Sequence, residues 1–181
     1  MKWLIASDIH GSAYYCRKLL EAFDREAADR LLLLGDLLYH GPRNDLPKDY
    51  DTRAVTAMLN SIKDRILCVR GNCDAEVDQM VLEFPILADT LSLPCGGHLL
   101  VATHGHLHNE DSPLPLQEGD IELHGHTHVP RCEKIHGIYY VNPGSTSLPK
   151  DGSANGYMTL EDTVFTWKNM EGEVLRIEDL A

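Results

Sequence analysis

Three short apolar runs in the first part of the chain each end at a polar residue, and a stretch with helical periodicity separates each run from the next. The runs and the polar residues that follow them are 3–7 with Asp8, 31–34 with Asp36, and 66–69 with Asn72. Alternating strands and helices are typical of a parallel sheet covered by helices. Ligands of such sheets bind beyond the carboxyl ends of the strands. The pattern therefore predicts a crevice at which these three polar residues meet.

Signals at the element ends support this α/β interpretation. Ser12 is a candidate N-cap for a helix over residues 13–28, and a second helix is predicted over residues 54–62. After Pro94 short strands dominate, which predicts a second, largely antiparallel sheet. Its strands are predicted at 99–103, 121–124, 138–141, 156–160, 164–167 and 174–177. A chain of 181 residues with 43% hydrophobic residues is expected to form a single domain over 1–181.

Histidine is the unusual component of the sequence. Six of the ten histidines fall between His104 and His128, in two groups at 104–108 and 124–128. Asp8 and His10 are two residues apart, as are His126 and His128, so on extended segments each pair would share a face. Clustered imidazoles together with Asp and Asn oxygens predict a metal site. Nitrogen and oxygen ligands suit Mn²⁺, Fe²⁺, Zn²⁺ or Ni²⁺, and a carboxylate at Asp36 can bridge two cations.

Charge and cysteine content restrict the partners. The net charge is −12, from 16 basic and 28 acidic residues, and no basic stripe is present, which excludes a binder of nucleic-acid polymers. Bound cations would still allow a substrate that carries phosphate. Five cysteines without paired spacing predict reduced thiols and a cytoplasmic location. No apolar run approaches the ~18 residues of a membrane span, so no membrane partner is expected.

Five short motifs in this order resemble the calcineurin-like metallophosphoesterases, whose pattern is D-x-H, G-D, G-N-H-[DE], H and G-H-x-H. The matching segments are 8–11, 35–36, 71–74, 103–106 and 124–128, and the later 142–145 segment also fits. Within this family, residues 40–44 and 70–74 are similar to the small bacterial YfcE-type phosphodiesterases. The resemblance implies a four-layer αββα sandwich and a metal-dependent phosphodiesterase. Its substrate would be a small phosphodiester, attacked by a hydroxide that bridges two metal ions.

The resemblance also implies the role of each ligand residue. Asp8, His10 and His128 match the ligands of the first metal ion, and Asn72, His104 and His126 match those of the second. Asp36 matches the carboxylate that bridges the ions. Mn²⁺ is the expected metal, with Zn²⁺, Fe²⁺, Ni²⁺ and Mg²⁺ as alternatives. Taken alone, Asn72 is also typical of a turn residue or a helix cap.

One position departs from the family pattern. Cys73 stands where the family has a histidine that contacts the phosphate and protonates the leaving group. A thiol has an ordinary pKa near 8.5 and forms weaker hydrogen bonds. Asp74 matches the acid that would orient the missing histidine. We expect catalytic contributions from Asn72, Cys73, Asp74 and His106, and substrate contacts from Arg43 and Asn44, which are also compatible with a solvated or intersubunit loop.

Alternative functions share part of this pattern. A phosphomonoesterase would use the same motif set. A catalytically weak scaffold similar to the retromer's phosphoesterase-like subunit would also lack the family's histidine, but such a scaffold has no need for all seven ligands. The sequence leaves open whether the chain forms a homo-oligomer, either a dimer or a tetramer.

Overall fold

The computed structural model describes all 181 residues, Met1–Ala181, as eleven strands and three α-helices. The strands are β1 (Lys2–Ala6), β2 (Arg30–Leu33), β3 (Ile66–Cys68), β4 (Leu91–Cys95), β5 (His98–Ala102), β6 (Ile121–Leu123), β7 (Arg131–Ile135), β8 (Ile138–Asn142), β9 (Gly156–Glu161), β10 (Val164–Asn169) and β11 (Val174–Asp179). The helices are α1 (Ala13–Arg25), α2 (Thr52–Asn60) and α3 (Glu76–Gln79). None of them has the length and hydrophobicity required to cross a bilayer.

The first sheet has six strands in the order β11-β10-β9-β1-β2-β3. Its strands β1, β2 and β3 are parallel, as the alternating pattern predicts. Helix α1 begins after Ser12, whose hydroxyl accepts the N–H of Tyr15 at 3.2 Å, so the predicted N-cap is confirmed. Side chains of α1 and α2, including Leu19, Phe23 and Leu59, join one buried cluster with the sheet. Because the three strands are parallel, their carboxyl ends lie at one edge of the sheet.

The second sheet has five strands in the order β4-β5-β6-β8-β7. The prediction that residues 156–177 belong to it is wrong. Strand β9 pairs antiparallel with β1, and β10 and β11 follow on that side, so these strands extend the first sheet. The prediction of a largely antiparallel second sheet is also wrong, because β5, β6 and β8 are parallel. The hydrophobicity of a strand indicates only that the strand is buried. Which sheet it joins depends on residues that are distant in the sequence.

Two edge strands, β4 and β7, were not expected from the sequence. Strand β4 contains Pro94, and β7 has the polar sequence Arg131–Ile135. Edge strands need only one hydrogen-bonded neighbour, so they tolerate proline and charged residues. Their sequences therefore lack the continuous apolar runs that mark interior strands.

The sheets face each other across a second buried cluster that includes Ile5, Leu32, Leu123 and Trp167. The indole N–H of Trp167 donates to the carbonyl of Asn142 on the opposite sheet at 2.7 Å. The predicted α/β sandwich is thus confirmed. Residues 105–119, between β5 and β6, form no helix, and Pro113 and Pro115 within them are incompatible with a regular one.

Candidate active site

A polar crevice of about 420 Å³ opens where the carboxyl ends of β1, β2 and β3 meet the loops of the second sheet. Its walls combine the predicted strand-end residues with three loops. The residues that line it are His10, Asp36, Gly41, Pro42, Arg43, Asn44, Asn72, Cys73, His126, Thr127, His128 and Lys150. The convergence that the strand order predicts at this edge is therefore present.

Five of the predicted ligand residues have a left-handed backbone. The φ angles are 58° at Asp8, 49° at His10, 56° at Asp36, 65° at His126 and 63° at His128. The expectation that Asp8 with His10, and His126 with His128, share faces of extended segments is therefore wrong. Each pair lies in a turn beyond its strand. Left-handed residues other than glycine cost roughly 1–2 kcal/mol each and cluster at functional sites.

Close backbone approach brings the ends of β2 and β3 together. Gly35 has a φ of 93°, and a Cβ atom added to Gly71 would overlap the carboxylate of Asp36. Only glycine at position 71 leaves room for this carboxylate. The two glycines thus allow Asp36 to reach the middle of the crevice.

The first group of predicted ligands is Asp8, His10 and His128. Nε2 of His10 lies 3.3 Å from Nε2 of His128, and Oδ1 of Asp8 lies 3.2 Å from Nε2 of His128. The opposite ring nitrogens, Nδ1, donate to backbone carbonyls, His10 to Tyr39 at 2.7 Å and His128 to Leu148 at 2.6 Å. These bonds orient the rings so that both Nε2 atoms face Asp8, and in the neutral imidazoles these atoms carry the lone pairs.

The second group is Asn72, His104 and His126. Nε2 of His104 lies 3.1 Å from Oδ1 of Asn72 and 3.3 Å from Nδ1 of His126. The Nδ1 atom of His104 donates to the carbonyl of Leu34 at 2.6 Å. This backbone bond directs Nε2 of His104 toward the other two side chains.

Asp36 lies between the two groups. Its Oδ2 atom is 3.6 Å from Nε2 of His10 and 3.5 Å from Nε2 of His104. Its Oδ1 atom accepts the backbone N–H of Cys73 at 2.8 Å, which fixes the orientation of the carboxylate. One carboxylate therefore reaches both groups.

The titration of the site shows how strongly it attracts positive charge. Burial alone would raise the pKa of Asp8, but the adjacent imidazoles of His10 and His128 hold it well below its usual range. For Asp36, burial is outweighed by a hydrogen bond from His104, which lowers its pKa. Burial opposes protonation of His104, yet Asp36 and Asp8 raise its pKa to about 9. Two buried carboxylates thus draw protons onto His104 and also raise the pKa of His10.

Divalent cations fit this arrangement. Oδ1 of Asp8 is buried without a hydrogen-bond partner, and it faces imidazole nitrogens whose tautomers direct lone pairs toward it. Two ligand atoms at about 2.1 Å from one ion lie roughly 3–3.5 Å apart, which is the spacing seen within both groups. The oxygen and nitrogen donor set is the one that Mn²⁺, Fe²⁺ or Zn²⁺ prefers. Binding of such ions would displace the protons.

Asp74 and Cys73, two residues predicted to be catalytic, occupy different environments. Asp74 is buried, and its carboxylate accepts the backbone N–H groups of Asp36, Leu37 and Gly71 at 2.8–2.9 Å. These bonds tie the turn after β2 to the turn after β3. A catalytic role for Asp74 stays a prediction.

Cys73 lines the crevice as predicted, with its Sγ atom 3.3 Å from Nδ2 of Asn72. Burial and then the negative charge of Asp36 raise the pKa of the Cys73 thiol to about 12. The thiol is therefore neutral at physiological pH and is a weak acid.

His106 does not line the crevice. Its ring centroid lies 5.3 Å from that of His104, and its Nδ1 atom is buried without a partner. Burial, with the charge of His104, lowers the pKa of His106. A catalytic role for His106 stays a prediction.

Arg43 and Asn44 line the crevice, and the amide of Asn44 donates to the carbonyl of His40 at 2.8 Å. Thr127 and Lys150 also line it and were missed from the sequence. Thr127 lies between His126 and His128 in the sequence, so its position at the crevice could have been predicted. Lys150 lies in a turn, and the local sequence does not indicate that this turn reaches the crevice.

An α/β sandwich with acidic and imidazole side chains gathered in a crevice at its strand ends is the architecture of a metallophosphoesterase. The chain belongs to the calcineurin-like phosphoesterase superfamily, whose domain model matches residues 1–163. It is 43% identical over 166 residues to the phosphodiesterase YfcE of Escherichia coli K12, covering 92% of this chain and 90% of that protein. The structure of E. coli YfcE, described as a phosphoesterase, superposes with a TM-score of 0.96 at 39% identity and covers all of both chains.

Two further proteins are similar to the chain, one in sequence and one in fold. The probable metallophosphoesterase YsnB of Bacillus subtilis is 28% identical over 189 residues, covering 99% of this chain and 96% of that protein. The zinc complex of Vps29 from Entamoeba histolytica superposes with a TM-score of 0.62 at 20% identity over all of both chains, which shows a common fold alone.

Proposed function

We propose that this chain is a metal-dependent phosphodiesterase that hydrolyses small phosphodiesters in the crevice. The observation that carries this proposal is the placement of Asp36, whose carboxylate lies between two groups of nitrogen and oxygen donors. A single ion does not need seven donors, whereas two ions that share one carboxylate do. The phosphodiesterase name of the 43% identical relative supports a diester as substrate.

In this proposal each group of donors holds one divalent cation. The first site uses Asp8, His10 and His128, the second uses Asn72, His104 and His126, and Asp36 belongs to both. When bound, the cations supply an activated water and stabilise negative charge on the phosphoryl oxygens. Mn²⁺ is the proposed metal, and Zn²⁺, Fe²⁺, Ni²⁺ and Mg²⁺ are the alternatives to test.

The chain itself contributes orientation. Backbone carbonyls of Tyr39, Leu34 and Leu148 hold three of the imidazoles in one tautomer. Asp74 fixes the two turns that carry Asp36 and Asn72. These contacts place the donors before any ligand binds, which reduces the free energy spent on reorganisation.

Substrate contacts and proton transfer complete the proposal. Arg43 and Asn44 stand in the crevice wall, where both would contact the ester. The neutral thiol of Cys73 is a poor proton donor, so we propose that the enzyme favours esters whose leaving groups depart as stable anions. The five free cysteines support function in a reducing compartment such as the cytoplasm.

The test compares two chromogenic esters, bis-p-nitrophenyl phosphate and p-nitrophenyl phosphate, with Mn²⁺ and each alternative metal. We expect metal-dependent release of nitrophenolate, with the diester preferred and activity lost in a chelator. Preference for the monoester would establish a phosphomonoesterase instead. Absence of turnover with every metal would contradict the proposed function and favour a scaffold.

A further inference from the structure

Two cationic side chains line the crevice without a partner of their own. Arg43 comes from the loop after β2, and Lys150 comes from the loop between β8 and β9. Neither side chain forms an ion pair or a hydrogen bond within the chain, whereas Lys168 and Arg131 are paired with Glu26 and Glu110. In a protein with a net charge of −12, two unpaired cations at one polar crevice form a local site for anions.

The backbone of Lys150 is held against a predicted metal ligand. Its N–H donates to the carbonyl of His128 at 3.2 Å. Its own carbonyl accepts the N–H of Ser153 at 3.0 Å and the hydroxyl of Ser153 at 2.7 Å. The base of the side chain is thus fixed beside His128, while the exposed ammonium group stays free to meet a ligand.

The walls of the crevice select a polar occupant. Only one of its twelve lining residues is hydrophobic. The separate groove on the other side of the loop after β2 has six hydrophobic residues among ten, with Tyr39 and Val77 in its lining. An aromatic or long alkyl substituent would find few apolar contacts in the crevice, whereas a charged substituent would be solvated there.

The cationic side chains at the crevice and the proposed metal ions together carry more positive charge than a simple diester requires. A phosphodiester group carries one negative charge, which the divalent cations of the proposed function would already neutralise. Resting on that function, we infer that Lys150 is a specificity-determining residue that binds a second anionic group on the substituent retained by the phosphate. The substrate class is a phosphodiester with a phosphate or carboxylate tail on one of its alcohols.

The experiment uses three p-nitrophenyl phosphodiesters with the same leaving group and different second alcohols. The alcohols are propanediol, propanediol phosphate and hydroxypropanoate, which present a neutral, a phosphate and a carboxylate tail. Assayed with the Mn²⁺-loaded protein, the phosphate or carboxylate tail should raise kcat/KM roughly tenfold over the neutral tail, mainly through a lower KM. The better of the two charged tails identifies the source of the second anion.

Variants separate a local contact from a change in net charge. In Lys150→Met the ratio of kcat/KM between the charged and the neutral tail should fall to about one, and Lys150→Arg should restore part of it. Lys134→Met removes the same charge from β7, away from the crevice, and should keep the parent ratio. A parent ratio near one, a ratio that persists in Lys150→Met, or a ratio lost only in Arg43→Met would overturn the inference. If the parent hydrolyses none of the three esters, the proposed function itself fails.

Discussion

Two regions of this molecule bury carboxylates, and their pKa values shift in opposite directions. In the crevice, Asp8 and Asp36 are 0% and 2% exposed, and both have lowered pKa values. On the outer face of the second sheet, Glu122 is 0% exposed, and burial raises its pKa to about 7. Similar burial thus accompanies pKa shifts in opposite directions.

The neighbours explain the difference. Imidazoles of His10, His104 and His128 surround the crevice carboxylates. At Glu122 the N–H of Leu114 offsets only part of the burial, and the charge of Glu110 opposes ionisation. Neither oxygen of Glu122 makes a hydrogen bond of good geometry.

A candidate binding site for cations differs from an isolated buried carboxylate in the groups that surround it. The crevice carboxylates stay ionised because cationic groups converge on them from separate loops. Glu122 has no such neighbours and stays protonated over part of the neutral range, so it adds no site for a cation. Burial and acidity alone would not separate the two regions.

The largest expected effect is the loss of hydrolysis when a crevice carboxylate is removed. Asp36→Ala or Asp8→Ala should lower kcat/KM by at least about 10³-fold, because each removes a donor to the proposed ions. The apolar core does not include these side chains, so far-ultraviolet circular dichroism should stay unchanged. Glu122→Gln, assayed in parallel, should keep the parent activity. Unchanged turnover in both aspartate variants, measured with excess Mn²⁺, would exclude the proposed site.

The second effect is the stabilisation that metal ions provide. Metal analysis after reloading should approach two equivalents of Mn²⁺ in the parent and in Glu122→Gln, and fewer in Asp36→Ala. At a free ion concentration of 100 times Kd, each site should add about 2.7 kcal/mol to the free energy of unfolding. Thermal melts with and without Mn²⁺ measure this shift. Saturation at one equivalent in the parent would contradict a pair of sites.

The third effect is a pH dependence of stability caused by Glu122. Its folded pKa of about 7 lies above the ordinary value of 4.5, so between these values the folded state keeps a proton that the unfolded chain releases. Stability should therefore fall as pH rises through this window, by up to about 3 kcal/mol. Glu122→Gln lacks this loss, so urea unfolding should show a large gain over the parent at pH near 8 and one of less than about 1 kcal/mol near pH 5.

The control for this pH dependence is Glu161→Gln, which changes an exposed glutamate at the end of β9. It should follow the parent at both pH values. An advantage of Glu122→Gln that is equal at both pH values would mean that packing, and not ionisation, distinguishes the variant.

The smallest effect concerns Cys73, where burial and the negative charge of Asp36 suppress ionisation of a thiol in the crevice. Cys73→His should raise rates on alkyl esters more than on aryl esters, because poor leaving groups need a proton most. We expect a gain of about tenfold, below the 10²–10⁴-fold effect of an established general acid. Cys73→Ser should change aryl-ester turnover little.

The measurement is the slope of log kcat/KM against leaving-group pKa for the parent and both Cys73 variants, with substrates for which chemistry is rate-limiting. A parent slope already near zero would mean that another group protonates the leaving group. His106, whose ring lies beside that of His104, would then be the first candidate.

Local sequence signals were sufficient for the parallel half of the first sheet. The apolar runs at β1, β2 and β3, the N-cap at Ser12 and the polar residues after each strand depend on neighbours within a few positions. Periodicity and capping express such short-range preferences directly. Parallel strands then require their ends to meet at one edge, which is why the crevice could be predicted.

The tertiary structure decided where the remaining groups go. The hydrophobic residues of β9 are compatible with either sheet, and only pairing with β1 places them in the first. Asp74 accepts N–H groups from Asp36 and Leu37, 38 and 37 positions away, so its role in joining two turns could not be predicted from its neighbours in sequence. Lys150 reaches the crevice because its turn is bonded to His128. Each of these outcomes depends on contacts between distant residues, which hydrophobic periodicity and local turn preferences do not encode.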